Sequence, residues 1–326
     1  MSEVRRIAVF TSGGDAPGMN AAVRAVVRTA SYHNLHIYGV YGGYDGMING
    51  NIERLEKKDV GNIMHRGGTI LKTARSEEFR TKEGRKKAFE NLQDLQIDAC
   101  VCIGGNGTYT GADIFASEYP IKMIGVPGTI DNDIFGTDYT IGFDTAVNTA
   151  IEAVDRIRDT ADSHNRLFFI EVMGRHAGFI ALNTGIASGA GSIFLPEKKE
   201  SLIEFMDWLK KSSRRKKLFN LIIVAEGNTE GGAQSIAEKV KKEVPEMDTK
   251  VTIIGHLQRG GSPSGLDRVL ASRLGYGAVN AIMDGKSRVA IGSINNALSY
   301  TSFADAISKT KDLQDDTVEM ARILAM

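Results

Sequence analysis

The amino-acid sequence predicts an α/β fold with largely parallel sheets. Eight short apolar runs recur along its 326 residues, with helix-like segments between them. Apolar runs that do not strictly alternate are typical of strands buried on both faces of a parallel sheet. The runs begin at Arg6, His36, Ala99, Lys122, Arg166, Leu221, Val251 and Arg288. The length fits two domains or one large one.

Two intervening helices are legible from their apolar spacing. After the first strand, Pro17 suits a helix start, and apolar residues recur at helical spacing at Ala22, Val23, Val26, Val27 and Ala30. A second helix is predicted to begin at Asp144, whose side chain can cap it. Its predicted apolar face comprises Val147, Ile151, Val154 and Ile157.

Charge and composition exclude several classes of protein. The 40 basic and 40 acidic residues give zero net charge, so we expect neither a nucleic-acid nor a membrane partner. The charge-dense stretch at 210–217 is predicted to be a solvated helix end. Cys100 and Cys102 fit neither a redox pair nor a metal site, which predicts buried thiols in a reducing cytosol. No apolar run suits a signal peptide or a membrane span, so a soluble cytoplasmic protein is predicted.

Glycine clusters at predicted strand ends indicate that phosphates are bound. Glycine lets backbone N–H groups approach phosphate oxygens, and a following helix adds a favourable dipole. The clusters lie at 13–14, 67–68, 104–107 and 260–261. Glycine pairs also mark ordinary turns, but their repetition at strand ends favours binding. The P-loop motif requires glycine five positions before Gly285, where this chain has Asn280, and the dinucleotide fingerprint that starts at Gly105 requires glycine where this chain has Thr110. The sequence therefore predicts neither a P-loop nor a Rossmann dehydrogenase.

Two polar loops supply candidate chemistry. Asp131 and Asp133 lie in a glycine-bounded loop, where one can act as a base toward an alcohol and the other can orient a metal. Turn formation is the alternative interpretation of this loop. Later, His256, Arg259 and Arg268 surround a glycine pair, a pattern that suits an anionic sugar phosphate.

Five segments together resemble the bacterial ATP-dependent 6-phosphofructokinase family. They are TSGGDAPGMN at 11–20, GGTILKTAR at 67–75, PGTIDND at 127–133, EVMGR at 171–175 and GHLQRGGSP at 255–263. The resemblance implies a glycolytic kinase that transfers the γ-phosphoryl group of ATP, with Mg²⁺, to the 1-hydroxyl of fructose 6-phosphate. It also implies two similar three-layer α/β domains with an active-site cleft between them. The expected domains are 1–141 with 257–305 for ATP, and 142–256 with 306–326 for the sugar.

The resemblance assigns site residues by motif position. Asp131 matches the base, and Thr129, Arg175 and Gly14 complete the catalytic set. The ATP positions are Gly14, Tyr44, Arg75, Ser76, Gly105, Asn106, Gly107 and Thr108. The fructose 6-phosphate positions are Thr129, Asp131, Arg166, Met173, Gly174, Arg175, Glu226, Lys250, His256 and Arg259. Arg166 and Lys250 match residues that reach the phosphate from a neighbouring subunit, which implies a homo-oligomer, in the family a tetramer.

Several positions bear on the donor and on regulation. Pyrophosphate-using members carry Asp at position 107 and Lys at 128, whereas this chain has glycine at both, which favours ATP. The family's metal-binding Asp is Asn106 here, so we expect a raised Mg²⁺ requirement; Asp133 is the other expected metal contact, through water. Lys250 stands for an Arg and predicts weaker sugar-phosphate binding.

The family's effector site is only partly matched. Its basic positions correspond to Arg24, Arg28, Lys57, Arg158, Arg215 and Lys217. Its metal-binding Glu is Gly191 and its His is Phe219. The mismatches argue against retained allostery. The six basic residues fit solvated helix faces equally well, and for Lys57 and Arg215 that is the preferred interpretation.

Two alternative functions stay open. The loop GGNGT at 104–108 also resembles that of NAD kinases and diacylglycerol kinases, although PGTIDND and GHLQRGGSP argue against that group. The change at Asn106 motivates the other alternative, a nucleotide- and sugar-phosphate-binding subunit with impaired catalysis.

Overall fold

A computed structural model describes residues 4–164, 166–198, 202–214 and 221–325, with residues 162–164, 204, 208 and 211–214 described by their backbone alone. The chain forms two compact units. The first contains the chain up to Ile130, Ile134–Thr145 and Arg259–Lys311. The second contains Asp131–Asp133, Ala146–Gln258 and the chain from Asp312 onward. The chain therefore passes between the units more than once.

The described residues form eleven strands and eleven α-helices. The strands are β1 (Arg6–Thr11), β2 (His36–Val40), β3 (Ile52–Leu55), β4 (Ala99–Gly104), β5 (Lys122–Pro127), β6 (Leu167–Val172), β7 (Ser192–Phe194), β8 (Leu221–Ala225), β9 (Thr249–Ile253), β10 (Val289–Ile294) and β11 (Ala297–Ser302). The helices are α1 (Met19–Tyr32), α2 (Gly43–Ile48), α3 (Lys82–Asp94), α4 (Asn106–Glu118), α5 (Phe143–His164), α6 (Phe179–Ala187), α7 (Leu202–Arg214), α8 (Ala233–Glu243), α9 (Gly265–Met283), α10 (Phe303–Ser308) and α11 (Asp315–Leu324). Two short 3-10 helices lie at Glu78–Arg80 and Gly255–Arg259.

The first unit is built on a seven-stranded sheet in the order β11-β10-β5-β4-β1-β2-β3. Its five central strands are parallel, and the edge strands β3 and β11 pair antiparallel to β2 and β10. Alternate side chains point to opposite faces, so Ala8 and Phe10 join the cluster packed by α2, α3, α4 and α10. Helices α1 and α9 pack against each other and against the sheet.

The second unit has a four-stranded, wholly parallel sheet in the order β7-β8-β6-β9. Phe169 and Val224 of this sheet pack with Phe205 of α7 and Ile236 of α8. All eight predicted runs form strands, although β9 begins at Thr249, two residues before the expected Val251. The short or amphipathic strands β3, β7 and β11 were not predicted.

Both predicted helix starts need correction. Helix α1 begins at Met19 after Gly18, which has φ 105°, so Pro17 lies in the preceding turn rather than in the helix. Helix α5 begins at Phe143, so Asp144 lies in its first turn and is not the cap. The carboxylate of Asp267 accepts hydrogen bonds from the Gly142 and Thr145 N–H groups, at 2.8 Å each. Asp267 of α9 thus provides hydrogen-bond acceptors for backbone N–H groups at the N-terminus of α5. Burial raises the pKa of Asp267, against the lowering effect of these hydrogen bonds.

The buried stripe of α5 also differs from the predicted one. Its fully buried members include Ala146, Ala150 and Val154. Of the predicted face only Val154 is buried, and Val147 and Ile151 are half-buried. Small side chains let the helix lie close to its neighbours, and an apolar count does not detect this.

The remaining general expectations concern the cysteines and the membrane. Both Cys100 and Cys102 are fully buried free thiols on β4, as predicted. Burial raises the pKa of each well above its usual range, so these thiols are unreactive. Among the described residues, every helix is too short or too polar to cross a membrane.

Candidate active site

In the first unit the predicted nucleotide loops follow the neighbouring strands β1 and β4. The chain leaves β1 for β2 on one side and later enters β4 on the other, so these strand ends flank a topological switch point. Ligands collect at such points in parallel sheets. The two loops are joined because Ser12 N–H donates to Ile103 O at 3.0 Å and Thr108 Oγ1 donates to Ser12 O at 3.2 Å. Gly13 and Gly14 follow directly.

Helix α4 begins at Asn106, at the end of β4, and directs its N-terminal N–H groups and dipole toward this edge. The two glycines here differ in the space that the protein leaves for a side chain. A Cβ on Gly104 would lie 2.3 Å from Thr108 Oγ1, so packing requires glycine there. A Cβ on Gly107 would meet no atom of the described protein within 4 Å. The protein's own packing leaves that side of Gly107 open to a ligand.

Tyr44 supports the nucleotide loop from the protein interior. Its side chain is buried, its hydroxyl donates to Thr108 O at 2.6 Å, and its ring stacks on Phe79 at 3.9 Å between centroids. Burial raises the pKa of Tyr44 well above its usual range. The ring is therefore used in packing, whereas the resemblance places Tyr44 among the ATP positions.

Arg75 and Ser76 differ in what they offer to a ligand. Ser76 Oγ donates to Asp45 Oδ1 at 2.9 Å and accepts from Phe79 N–H at 3.2 Å, so its hydroxyl is engaged within the protein. Arg75 is exposed, and the described residues provide it with no hydrogen bond or ion pair. A guanidinium in this position can contact two phosphates at once.

Arg259 lies against the first glycine loop. Its Nη1 donates to Asp15 O at 3.2 Å, and a Cβ on Gly14 would lie 2.6 Å from the same nitrogen. Arg268, in contrast, donates to Pro263 O and Ser262 Oγ, each at 2.8 Å, and so shapes its own loop.

Thr129 follows β5 in the first unit and is held through its backbone. Its carbonyl accepts from Thr140 Oγ1 at 2.6 Å. Gly128, just before it, forms a parallel bridge with Ile141, and a Cβ there would lie 3.0 Å from Ile103 and Met19 atoms. Unlike Gly107, Gly128 is enclosed by the protein.

In the second unit the predicted sugar residues follow β6, β8 and β9. Gly174 and Arg175 have φ of 141° and 52°, so this turn needs outside support. Glu226 provides it, because its Oε1 accepts from Gly174 N–H at 3.3 Å and from Arg175 N–H at 2.7 Å. Met173 N–H donates to the buried Gln258 Oε1 at 2.9 Å, and His256 remains exposed.

Asp131 and Arg175 form a charged pair in this unit. Asp131 is 4% exposed, and its Oδ2 lies 3.8 Å from Arg175 Nε. The following Asn132 is buried with φ 54°, and Asp133 is half-buried. Within the described part of the chain, no group of three or more His, Cys, Asp or Glu side chains can hold a metal ion.

Arg166 and Lys250 lie at the opposite end of the same sheet. Both contact Asp248, with Arg166 Nε and Lys250 Nζ each 2.8 Å from its carboxylate. The hydrogen bond from Lys250, and then that from Arg166, lowers the pKa of Asp248. The six residues of β6 separate Arg166 from Met173, a span of about 20 Å at the usual strand rise. Arg166 and Lys250 therefore do not join the other sugar residues of this unit.

Sequence reasoning missed three residues that organise these sites: Asp248, Gln258 and Asp267. Asp248 had a usable signal, because side chains two apart in an extended segment share a face, which places it beside Lys250. Gln258 and Asp267 act through contacts remote in sequence, which no local pattern reveals.

The predicted effector residues are spread over both units. Arg24 and Arg28 lie one turn apart on α1, where burial, and then the charge of Arg28, lowers the pKa of Arg24. Arg158 donates to Ser188 O in the second unit, three residues before Gly191. Lys57 is exposed in a turn. Arg215, Lys217 and Phe219 lie outside the described residues, as does the end of the basic stretch 210–217.

Comparison with known proteins assigns the family. A family model described as phosphofructokinase matches residues 6–282. This chain belongs to the phosphofructokinase family. An ATP-dependent 6-phosphofructokinase of Cytophaga hutchinsonii is 53% identical over 98% of both chains. ATP-dependent 6-phosphofructokinase 1 of Thermus thermophilus is 51% identical over 99% of this chain and all of its own.

Solved phosphofructokinases share the fold. The Saccharomyces cerevisiae structure has a TM-score of 0.88 and 39% identity, covering 98% of this chain and 46% of the longer yeast chain. A pyrophosphate-dependent phosphofructokinase of Marinobacter aquaeolei has a TM-score of 0.84 at 23% identity, over 99% of this chain and 92% of its own. At that identity the likeness concerns the fold alone. The α/β fold with largely parallel sheets is thus confirmed.

Proposed function

We propose that this chain transfers the γ-phosphoryl group of ATP to the 1-hydroxyl of fructose 6-phosphate. The observation that carries the proposal is the buried Asp131 carboxylate beside Arg175, in a family whose close relatives are named ATP-dependent 6-phosphofructokinases. A loose phosphoryl-transfer transition state chiefly needs an oriented nucleophile and compensated charge. Asp131 accepts the proton of the attacking hydroxyl, and Arg175 stabilises the transferring group.

ATP is the proposed donor, and the first unit is its proposed domain. The N-terminus of α4, Gly14 and the exposed Arg75 offer dipole, backbone and guanidinium contacts to phosphates. The open space at Gly107 accommodates a nucleotide that an Asp side chain would repel. Tyr44 and Ser76 act indirectly, through their contacts with Thr108 and Asp45.

Mg²⁺ is the proposed metal. Its proposed protein donors are the Asn106 amide oxygen and, through water, the Asp133 carboxylate, and no cluster of three or more acidic, His or Cys side chains suited to a metal occurs in the described ranges. This fits Mg²⁺, which takes most of its ligands from nucleotide phosphates and water. When bound, the ion neutralises charge on the phosphates. Asn106 offers only a neutral oxygen for this purpose, so we expect weaker metal binding than an Asp would give.

The second unit is the proposed sugar domain. Met173, Gly174, Arg175 and His256 are the proposed contacts of the same chain, with Glu226 fixing the turn that carries Arg175. Arg259, in the first unit, is a further proposed phosphate ligand.

The position of Arg166 and Lys250, about 20 Å along the strands from Met173, supports their action on the sugar phosphate of a neighbouring subunit. A homo-oligomer, in this proposal a tetramer, is then needed for full activity. Arg24, Arg28 and Arg158 are proposed contacts of an anionic effector.

A coupled ADP-release assay tests the proposed function. Purified protein is supplied with ATP and Mg²⁺ and with fructose 6-phosphate, NAD or a diacylglycerol as acceptor. In a parallel set pyrophosphate replaces ATP with fructose 6-phosphate as acceptor, and formation of fructose 1,6-bisphosphate is measured for both donors, because pyrophosphate releases phosphate rather than ADP. We expect turnover only with fructose 6-phosphate and ATP. Saturable ligand binding without turnover across a range of Mg²⁺ concentrations would instead indicate the impaired binding subunit, and preference for pyrophosphate would overturn the proposed donor.

A further inference from the structure

We infer that Asn20 is a positioning residue for Arg75, an inference that rests on the proposed binding of ATP phosphates. Arg75 ends an irregular segment, residues 66–75, which we call the arm. The arm contains no helix or strand, so its conformation depends on contacts made with the rest of the first unit. Asn20 provides three of these contacts.

The Asn20 side chain is 1% exposed on α1, and its amide spans the start of the arm. Nδ2 donates to Arg66 O at 3.0 Å and to Gly67 O at 3.3 Å. Oδ1 accepts from Ile70 N–H at 2.8 Å. Both amide hydrogens and the oxygen are therefore engaged with backbone groups that no regular element would satisfy.

The rest of the arm is held by single bonds that run toward Arg75. Thr11 Oγ1 donates to Lys72 O at 2.8 Å, and Thr73 Oγ1 donates to Gly13 O at 2.8 Å. Lys72 has φ 55°, a conformation that non-glycine residues adopt only when their surroundings impose it. The threonines fix the end of the arm, and Asn20 fixes its beginning.

This arrangement orders the backbone while leaving the functional side chain available. The Leu71 side chain is fully buried and its carbonyl accepts from Gly42 N–H at 2.8 Å, whereas Arg75 is exposed. A guanidinium on a pre-ordered backbone loses less entropy when it binds phosphate than one on a mobile loop. The amide of Asn20 thus contributes to ATP binding without contacting ATP.

The chemistry requires an amide. An Asp at position 20 can still accept from Ile70 N–H, but its carboxylate has no hydrogens to donate and would face two carbonyl oxygens. An Ala removes the side-chain partner of all three backbone groups of the arm. Asn20→Asp and Asn20→Ala therefore disturb the backbone of the arm in different ways, and we expect both substitutions to alter the position of Arg75.

A matched control exists at Asn91 of α3. Its Nδ2 donates to Met47 O at 2.9 Å and to Ile48 O at 2.8 Å, the same double contact with consecutive carbonyls. These carbonyls lie at the end of α2, outside the arm. Asn91→Asp should thus disturb a comparable pair of contacts, made by a half-buried amide at the opposite end of α2 from Tyr44 and Asp45, without acting on the arm.

Steady-state kinetics with both substrates test the inference. We expect Asn20→Asp and Asn20→Ala to raise the KM for ATP and lower kcat, reducing kcat/KM about 10- to 100-fold. The KM for fructose 6-phosphate should stay within about twofold, and Asn91→Asp should change neither KM by more. Hydrogen exchange of the Ile70 amide should accelerate in Asn20→Ala, which removes the acceptor, and stay unchanged in Asn91→Asp.

A double-mutant cycle with Arg75→Ala separates positioning from general destabilisation. If Asn20 acts through Arg75, Asn20→Asp should cost little further activity once Arg75 is absent. Multiplicative losses, or an equal loss in Asn91→Asp, would overturn the inference.

Calorimetry with a non-hydrolysable ATP analogue keeps the two proposals distinguishable. A wild-type chain that binds the analogue without phosphorylating fructose 6-phosphate refutes the proposed function, while the comparison of Asn20 variants stays informative.

Discussion

The buried Asp131 carboxylate lies close to the positively charged side chain of Arg175. Arg175 Nε lies 3.8 Å from this carboxylate, and the Arg175 side chain is 54% exposed. Because Arg175 is fixed through its backbone by Glu226, its guanidinium remains free to respond to a bound phosphoryl group.

Replacing Asp131 tests its role most directly. We expect Asp131→Ser to lower kcat about 10²- to 10⁴-fold, the usual contribution of a positioned base, with little change in ATP binding. Single-turnover phosphorylation of fructose 6-phosphate and calorimetric ATP binding are the measurements. Retention of most wild-type activity would remove Asp131 from the catalytic set.

Asn106 is a natural substitution whose reversal is informative. Asn106→Asp adds a carboxylate for Mg²⁺ and also places a negative charge in the first turn of α4. We expect a lower Mg²⁺ concentration at half-maximal activity, a higher kcat, and a stability gain of about 0.3–1 kcal/mol from the helix dipole. Mg²⁺ titrations of activity and thermal melts provide both readouts. Identical Mg²⁺ curves would show that residue 106 does not control the metal.

Gly107 allows ligand contact to be separated from folding. Gly107→Ala should raise the KM for ATP, because the new methyl group enters the open space proposed for the nucleotide. Gly265→Ala is the matched control, since it also lies in the first turn of a helix and its Cβ also meets nothing within 4 Å. Alanine is favoured over glycine in helices by roughly 0.5–1 kcal/mol, so neither variant should melt earlier. An unchanged KM for ATP in Gly107→Ala would place the nucleotide elsewhere.

At the scale of elements, the core beneath α4 contains two buried tyrosines with different hydrogen bonding. Tyr44 donates to Thr108 O, whereas the fully buried Tyr109 hydroxyl has no hydrogen-bond partner among the described residues. Tyr109→Phe should therefore raise the free energy of unfolding by about 1 kcal/mol, and Tyr44→Phe should lower it by about as much. Denaturant melts of the two variants decide this, and a loss of stability in Tyr109→Phe would contradict it.

The elements also show what the sequence could predict. Strands such as β4, apolar along their whole length, are recognisable because both of their faces are buried. The edge strand β3, IERL, has exposed charged residues at its centre and gives no such signal. The start of α5 was misassigned because its N-terminal amides are bound by Asp267, 122 residues from Thr145.

The same distinction holds for the candidate site. Motif positions such as Asp131 and Arg175 are carried by local sequence, so they were predictable from the resemblance. The residues that hold these motif residues in place were not predicted. Asn20 and Gln258 act on backbone groups brought near by folding, and only the three-dimensional contacts assign them a role. Asp248 differs, because its spacing of two residues from Lys250 was a usable signal that was overlooked.

At the scale of the whole molecule, subunit complementation tests the proposed oligomer. Asp131→Ser chains keep Arg166 and Lys250, while chains with Arg166→Ser and Lys250→Ala keep Asp131. Each variant alone should be nearly inactive. When the two variants are dissociated, mixed in equal amounts and reassembled, they should regain roughly a quarter of wild-type activity. In a symmetric oligomer about one site in four then receives its Asp131 from one variant and its Arg166 and Lys250 from the other. No recovery, with hybrid oligomers confirmed by mass, would show that each site uses one chain alone.

The open space beside Gly107 has an evolutionary consequence. Where a glycine is enclosed, as at Gly104, a new side chain must be accommodated by changes elsewhere in the fold. Position 107 imposes no such requirement, so a lineage can substitute it in one step while the protein still folds. The second position that bears on the donor, Gly128, is enclosed, so a side chain there requires its neighbours to move. We therefore expect position 107 to vary more readily than position 128 among members of this family.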